Sequence, residues 1–178
     1  YENDTEPRFI LDLAKYMKEY AEVTVLVPAA PKAADTEVLE GVSVIRYHYF
    51  PVHSLETLCY PGAIVPRIRE KKVRGLLVPW LFVSKSYDIV QANWLIPQGI
   101  VQSFLKKPYI VTGHGADVTS LNRGLLKKLK KRCLKNAWGV TAVSRPLMDV
   151  LDGIYKNGNQ AVISMGCDTS LLGRQYRE

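Results

Sequence analysis

Apolar positions along this chain switch between two periods. Ile10, Leu13, Ala14 and Met17 recur at helical spacing, with Asp12, Lys15, Lys18 and Glu19 facing away. Thr5 as N-cap, followed by Glu6 and Pro7, supplies a helix start. Val23 to Val27 is β-branched and nearly all apolar, and Pro28 stops it, which predicts a parallel strand buried on both faces. Residues 29–40, rich in Ala, Pro and acids, read as a loop, and Val42 to Tyr47 as a second strand. His48, Tyr49, Phe50, Pro51 and His53 then crowd into an irregular aromatic stretch that reads as packed loop. Residues 62–83 predict helix, with Pro66 and Pro79 marking starts or kinks.

Tyr87 to Ala92 predicts the next strand, which runs through the loop Asn93 to Gly99 into an amphipathic helix ending at Leu105. Tyr109 to Val111 is a short buried strand, and Trp138 to Val143 another. Ser144 follows as N-cap, with Pro146 in the first turn and Leu147, Val150, Leu151 and Ile154 as the apolar stripe. Ala161 to Ile163 is the last strand, and the tail from Met165 carries no pattern of its own. Strand and helix alternate throughout, so the class is α/β: a doubly wound, mostly parallel sheet flanked by helices.

Composition narrows the class of protein without choosing one. The 178 residues, 47% hydrophobic and 23% charged, suit one domain with a real core. The longest apolar region, Gly75 to Val83, is broken by Pro79 and is too short to cross a bilayer. There is no signal-peptide pattern, the first residue is not Met, and a helix precedes the first strand, so a strand is expected upstream of Tyr1. Cys59, Cys133 and Cys167 are scattered and form neither a metal pair nor a disulfide framework, which favours a reducing, cytoplasmic setting. His48 and His53 lack a third ligand nearby, so no zinc site is expected. The net charge of +7 points to an anionic partner: nucleic acid, anionic lipid and phosphorylated substrate all qualify.

The most distinctive chemistry follows the Tyr109 strand, in Gly113-His114-Gly115-Ala116-Asp117. Ligands of open parallel sheets collect beyond the carboxyl ends of strands. There Gly113 and Gly115 permit a sharp turn and close approach, His114 changes charge near neutral pH, and Asp117 orients a polar group or caps a helix. A strand end, a turn and an N-cap account for the same residues. The G-x-G lacks the third glycine of a dinucleotide fingerprint, no P-loop occurs, and Ser144 is not in a nucleophile elbow. The cations Lys127, Lys128, Lys130, Lys131 and Arg132 lie on a helix whose Leu125, Leu126, Leu129 and Cys133 form the opposite side. They read either as a solvated face or as a surface for anionic lipid headgroups; no binding motif or interleaved aromatics frame them for nucleic acid.

Taken in order, these segments resemble the N-terminal domain of a retaining glycosyltransferase of the GT-B fold, in the glycosyl transferases group 1 (family four) set. The matching stretches are Arg8 to Val27, Gly41 to Pro51 (GVSVIRYHYFP), Tyr87 to Gly99 (YDIVQANWLIPQG), Pro108 to Asp117, Ala137 to Ser144 and Ile163 to Leu172. Leu172-Gly173 departs from the usual Phe. The resemblance implies a Rossmann-like, acceptor-side domain over residues 1–164, lacking its first strand and glycine-rich loop. It also implies that residues 165–178 begin a linker to a C-terminal domain, which would hold most of the nucleotide-sugar site and the family's paired glutamates. This chain alone is then expected to transfer nothing.

The same resemblance implies metal-independent transfer with retention, using a nucleotide-sugar co-substrate, no cofactor, and a glycan, lipid-linked or small-molecule acceptor. His114 would serve as the catalytic residue beside the donor sugar. Gly113, Gly115, Asp117, Asn93 and Trp94 would bind substrate, Asp117 by orienting the loop or holding sugar hydroxyls, and Asn93 and Trp94 by lining the acceptor side. Through the basic helix the enzyme would sit peripherally on the inner face of the cell membrane. A non-enzymatic anion- or nucleic-acid-binding α/β module and a GT-B sugar-nucleotide epimerase are the competing readings.

Overall fold

The structure is a computed structural model in which residues 8–30, 33–59, 70–71 and 87–166 are described. The expected Thr5 cap, the helix over 62–83 (Glu70 and Lys71 apart) and the tail beyond Gly166 lie outside those residues. The chain divides into two compact units, residues 1–47 with 165–178, and residues 48–164.

In the first unit, helix α1 (Phe9–Met17) buries Ala14, while Leu13 and Met17 stay exposed. Strand β1 (Thr24–Pro28) pairs in parallel with β3 (Val42–Tyr47), and β2 (Thr36–Leu39) pairs antiparallel with β3, in the order β1-β3-β2. The loop expected over 29–40 therefore contains a strand. Its residues are exposed except for half-buried Glu37, so no apolar alternation marks it. The turn does: Glu40 and Gly41 have φ of 47° and 82°, the paired left-handed residues of a two-residue hairpin. Glu40 also pairs with Arg8 and Lys15, and Glu37 with Arg46.

Among its described residues the second unit has four parallel strands in the order β4-β5-β6-β7: β4 (Val90–Asn93), β5 (Tyr109–Gly113), β6 (Gly139–Ala142) and β7 (Gln160–Val162). The β4 strand starts three residues later than its sequence suggests, and Trp138 lies outside β6 with 64% of its surface exposed. Its α-helices among the described residues include α2 (Ile100–Gln102), α3 (Ala116–Thr119), α4 (Gly124–Asn136) and α5 (Arg145–Asp152). Ala92, Leu95, Val111, Val118, Cys133, Leu134, Val140, Met148 and Leu151 form one core cluster.

One face of β5 packs against α4. Tyr109 donates its buried hydroxyl to the Cys133 carbonyl at 2.6 Å, and burial pushes the Cys133 thiol up to about 12. A Cβ on Gly99 would stand 2.8 Å from Val111 Cγ2 and 2.9 Å from Cys133 Sγ, so the path after β4 requires glycine there. Of the helix expected from Gly99 to Leu105 one α turn, α2, is present; in the loop before it Ile96 is extended and joined to Pro97 by a cis bond. At α5, Ser144 occupies the N-cap position with extended backbone, but its hydroxyl makes no capping bond. In the loop after the first unit, Glu56 accepts the backbone N–H groups of Tyr49 and Phe50 and bonds His48 at 2.7 Å. The His48 and His53 rings stack 3.6 Å apart, and the buried Tyr49 hydroxyl accepts the Leu58 N–H.

Candidate active site

The carboxyl ends of β4 and β5 lie side by side, with Asn93 in register with Thr112. That pairing brings the two expected patches together. His114, just past β5, sets its ring nitrogen Nε2 3.1 Å from Asn93 Oδ1, and its ring lies 5.1 Å from that of Trp94, tilted by 43°. A carboxamide oxygen only accepts, so Nε2 carries the proton in this bond. His114 is half-buried, and desolvation holds its pKa below the ordinary 6.5, with the Asp117 carboxylate pulling the other way. The imidazole is therefore neutral at neutral pH: a fixed N–H donor beside an aromatic face.

Asp117 holds these groups in place. Its Oδ1 accepts the backbone N–H groups of Gly115 at 2.8 Å and His114 at 3.2 Å, and its Oδ2 accepts that of Leu95 at 2.8 Å. It is 4% exposed. These three bonds orient the loop. Because Leu95 follows Asn93-Trp94, a single carboxylate ties the loop after β4 to the loop after β5. The Leu95 bond crosses between strands and has no local signature in the sequence.

The two glycines stand in different surroundings. Gly113 ends β5 outside the left-handed region and is needed for space: a Cβ there would stand 2.5 Å from Val118 Cγ2. Gly115 precedes α3, and a Cβ there would meet nothing within 4 Å, so the space beside it is open. The left-handed residue is Trp94, at φ 76° and ψ 133°. Below the site, Thr141 Oγ1 bonds Thr112 Oγ1 at 2.8 Å and Gln91 Nε2 reaches the same oxygen at 3.4 Å, a polar row across β4, β5 and β6.

The cation cluster separates into different roles. Lys127, Lys128 and Lys131 are exposed on α4, and Lys135, one turn beyond Lys131, joins them. Arg132 lies over the Phe104 ring at 4.6 Å and donates to the Ser103 carbonyl at 3.4 Å. Lys130 does not face outward: it is fully buried, donating to Val118 O at 3.1 Å, Ser120 O at 2.5 Å and Asn122 Oδ1 at 2.7 Å. Leu125, expected in the packed stripe, is 71% exposed, while Lys130 and Leu134 turn inward. The reason is helical phase: Lys130 lies four residues after Leu126 and four before Leu134. Among the described residues no cluster of His, Cys, Asp and Glu has a metal-binding arrangement, and no helix is long and apolar enough to cross a membrane.

His114, Asn93 and Trp94 stand together beyond the carboxyl ends of adjacent parallel strands, where open α/β sheets bind their ligands. The family model for Glycosyltransferase Family 4 matches residues 7–171, and the chain belongs to that family. Sucrose-phosphate synthase from Thermosynechococcus elongatus has a similar structure, with a TM-score of 0.63 and 18% identity over 95% of this chain and 92% of that one. At that identity the likeness is one of fold. No curated protein matches the chain.

Proposed function

We propose that this domain forms the acceptor side of a glycosyltransferase that moves a sugar, a hexosyl group in the simplest case, from a nucleotide-sugar to a glycan, lipid-linked or small-molecule acceptor. Configuration is retained, and neither metal nor cofactor is needed. A second domain supplies most of the donor pocket. The observation that carries this reading is the His114–Asn93 bond against Trp94, clamped by Asp117. A sugar hydroxyl donates and accepts at once, so on binding it takes the place of the direct bond, the two groups parting to let it accept from His114 Nε2–H and donate to Asn93 Oδ1. The Trp94 face supplies apolar contact for the ring. His114 thereby fixes the sugar at the reacting centre and stabilises charge developing there.

In the full-length enzyme, His114→Ala lowers transfer at least tenfold while the circular dichroism spectrum is unchanged; undiminished transfer rejects the assignment. Product linked to an acceptor separates transfer from epimerisation of the donor. We further propose that the enzyme works in the cytoplasm and docks on the inner face of the cell membrane through the outward face of α4. Lys127, Lys128, Lys131 and Lys135, with Leu125 at the edge, replace the cation set read from sequence.

A further inference from the structure

Helix α3, four residues long, carries Asp117 in its first turn and is too short to hold its own shape. Its amino end is fixed by the bonds Asp117 makes to His114, Gly115 and Leu95. Its carboxyl end is fixed from another element. Lys130, reaching in from α4, donates to the carbonyls of Val118 and Ser120 and to Asn122 Oδ1. Asn122 in turn donates through Nδ2 to Val118 O at 3.0 Å and Thr119 O at 3.3 Å. Three acceptors take the three protons of an ammonium, a set that a neutral amine fills only in part.

We propose that Lys130 is a positioning residue for the candidate active site: by clamping the carboxyl end of α3 it fixes Asp117, and through Asp117 the strand-end loops that carry His114, Asn93 and Trp94. An interior charge is expensive, and an apolar side chain of similar length would avoid that cost, so packing alone does not account for Lys130. A cation also complements the negative end of a helix, and here it sits among carbonyls that α3 leaves without helical partners. Burial draws the Lys130 pKa down to about 8, with the Asp117 carboxylate opposing, so the charged form persists at neutral pH. The chain Lys130–α3–Asp117–Leu95 connects one buried cation to both loops of the site.

The catalytic consequence rests on the assignment of His114; the positional one does not. The experiment uses the full-length enzyme with Lys130→Met, Asn122→Ala and His114→Ala, read by hydrogen exchange and by kinetics. In Lys130→Met the amides of Leu95, His114 and Gly115 exchange at least tenfold faster, while those of Val140 and Leu151 keep their rates. The kcat falls at least fivefold, with KM for the donor within twofold. Asn122→Ala keeps the lysine but removes one leg of the clamp, and shows the same pattern with smaller amplitude. Unchanged exchange in the three amides, or an equal rise at Val140 and Leu151, overturns the clamp. If exchange rises locally while both Lys130→Met and His114→Ala transfer sugar normally, the clamp stands and the His114 assignment fails. If His114→Ala abolishes transfer while Lys130→Met changes neither exchange nor kcat, the positioning role fails and the His114 assignment stands.

Discussion

Asp117→Asn is the most direct probe of how the two strand-end loops are joined. The substitution keeps size and shape but offers one acceptor atom where the carboxylate offers two. With its amide oxygen toward His114 and Gly115, the asparagine turns an N–H₂ donor toward the Leu95 N–H, now 2.8 Å from an acceptor. Flipped, it satisfies Leu95 and faces two donors with another donor. The better orientation leaves one buried N–H unpaired, at about 1–3 kcal/mol, and reduces two charged bonds to neutral ones, at about 1 kcal/mol each. The sum is about 3–5 kcal/mol, a large share of the total stability of a typical domain. Native-state hydrogen exchange measures it where it acts, as the free energy of opening at the Leu95, His114 and Gly115 amides. Asp117→Asn is expected to lower those values by about 3 kcal/mol or more and to reduce kcat as His114 loosens. A drop below about 1 kcal/mol, or an equal drop at Val140 in the middle of β6, refutes the idea that this carboxylate joins the loops.

Two further outcomes follow from the same geometry. Burial depresses the His114 pKa below 6.5, so its contribution to stability is complete above that pH and is lost as pH falls through 6.5 toward the folded value. NMR titration of the imidazole is therefore expected to give a midpoint below 6.5, raised by Trp94→Ala, which uncovers the ring; a midpoint at or above 6.5 in the unaltered protein contradicts the burial argument. For α4, each exposed lysine contributes about 1 kcal/mol on an anionic surface, so co-sedimentation should rise with the anionic lipid fraction and vanish when Lys127, Lys128, Lys131 and Lys135 become glutamate. Binding indifferent to lipid charge removes the membrane from the account.

Much of the second unit is legible in the chain. β5 and its histidine loop follow from an apolar run that stops at Gly113, and the alternation of strands and helices predicts the parallel order. The proximity of Asn93-Trp94 to His114 follows once both are placed at the ends of neighbouring parallel strands. Other features resist sequence reading for definite reasons. Lys130 is one cation in a run, and only its phase with Leu126, Cys133 and Leu134 distinguishes it from its neighbours. The β2 strand is almost wholly exposed, so its hairpin turn is the only mark of it. Asp117 advertises its bonds to nearby amides, but its bond to Leu95 spans 22 residues and exists only after the strands pair.

Trp94 stands on the left-handed side of the backbone map, where side chains other than glycine cost about 1–3 kcal/mol. Glycine at 94 relieves that strain and removes the ring beside His114 in the same step. Relief of the backbone and the proposed sugar contact therefore pull in opposite directions at this position, and the packing lost with the half-buried ring offsets the relief. If Trp94 holds the sugar as proposed, Trp94→Gly is expected to change the melting temperature little while lowering transfer activity.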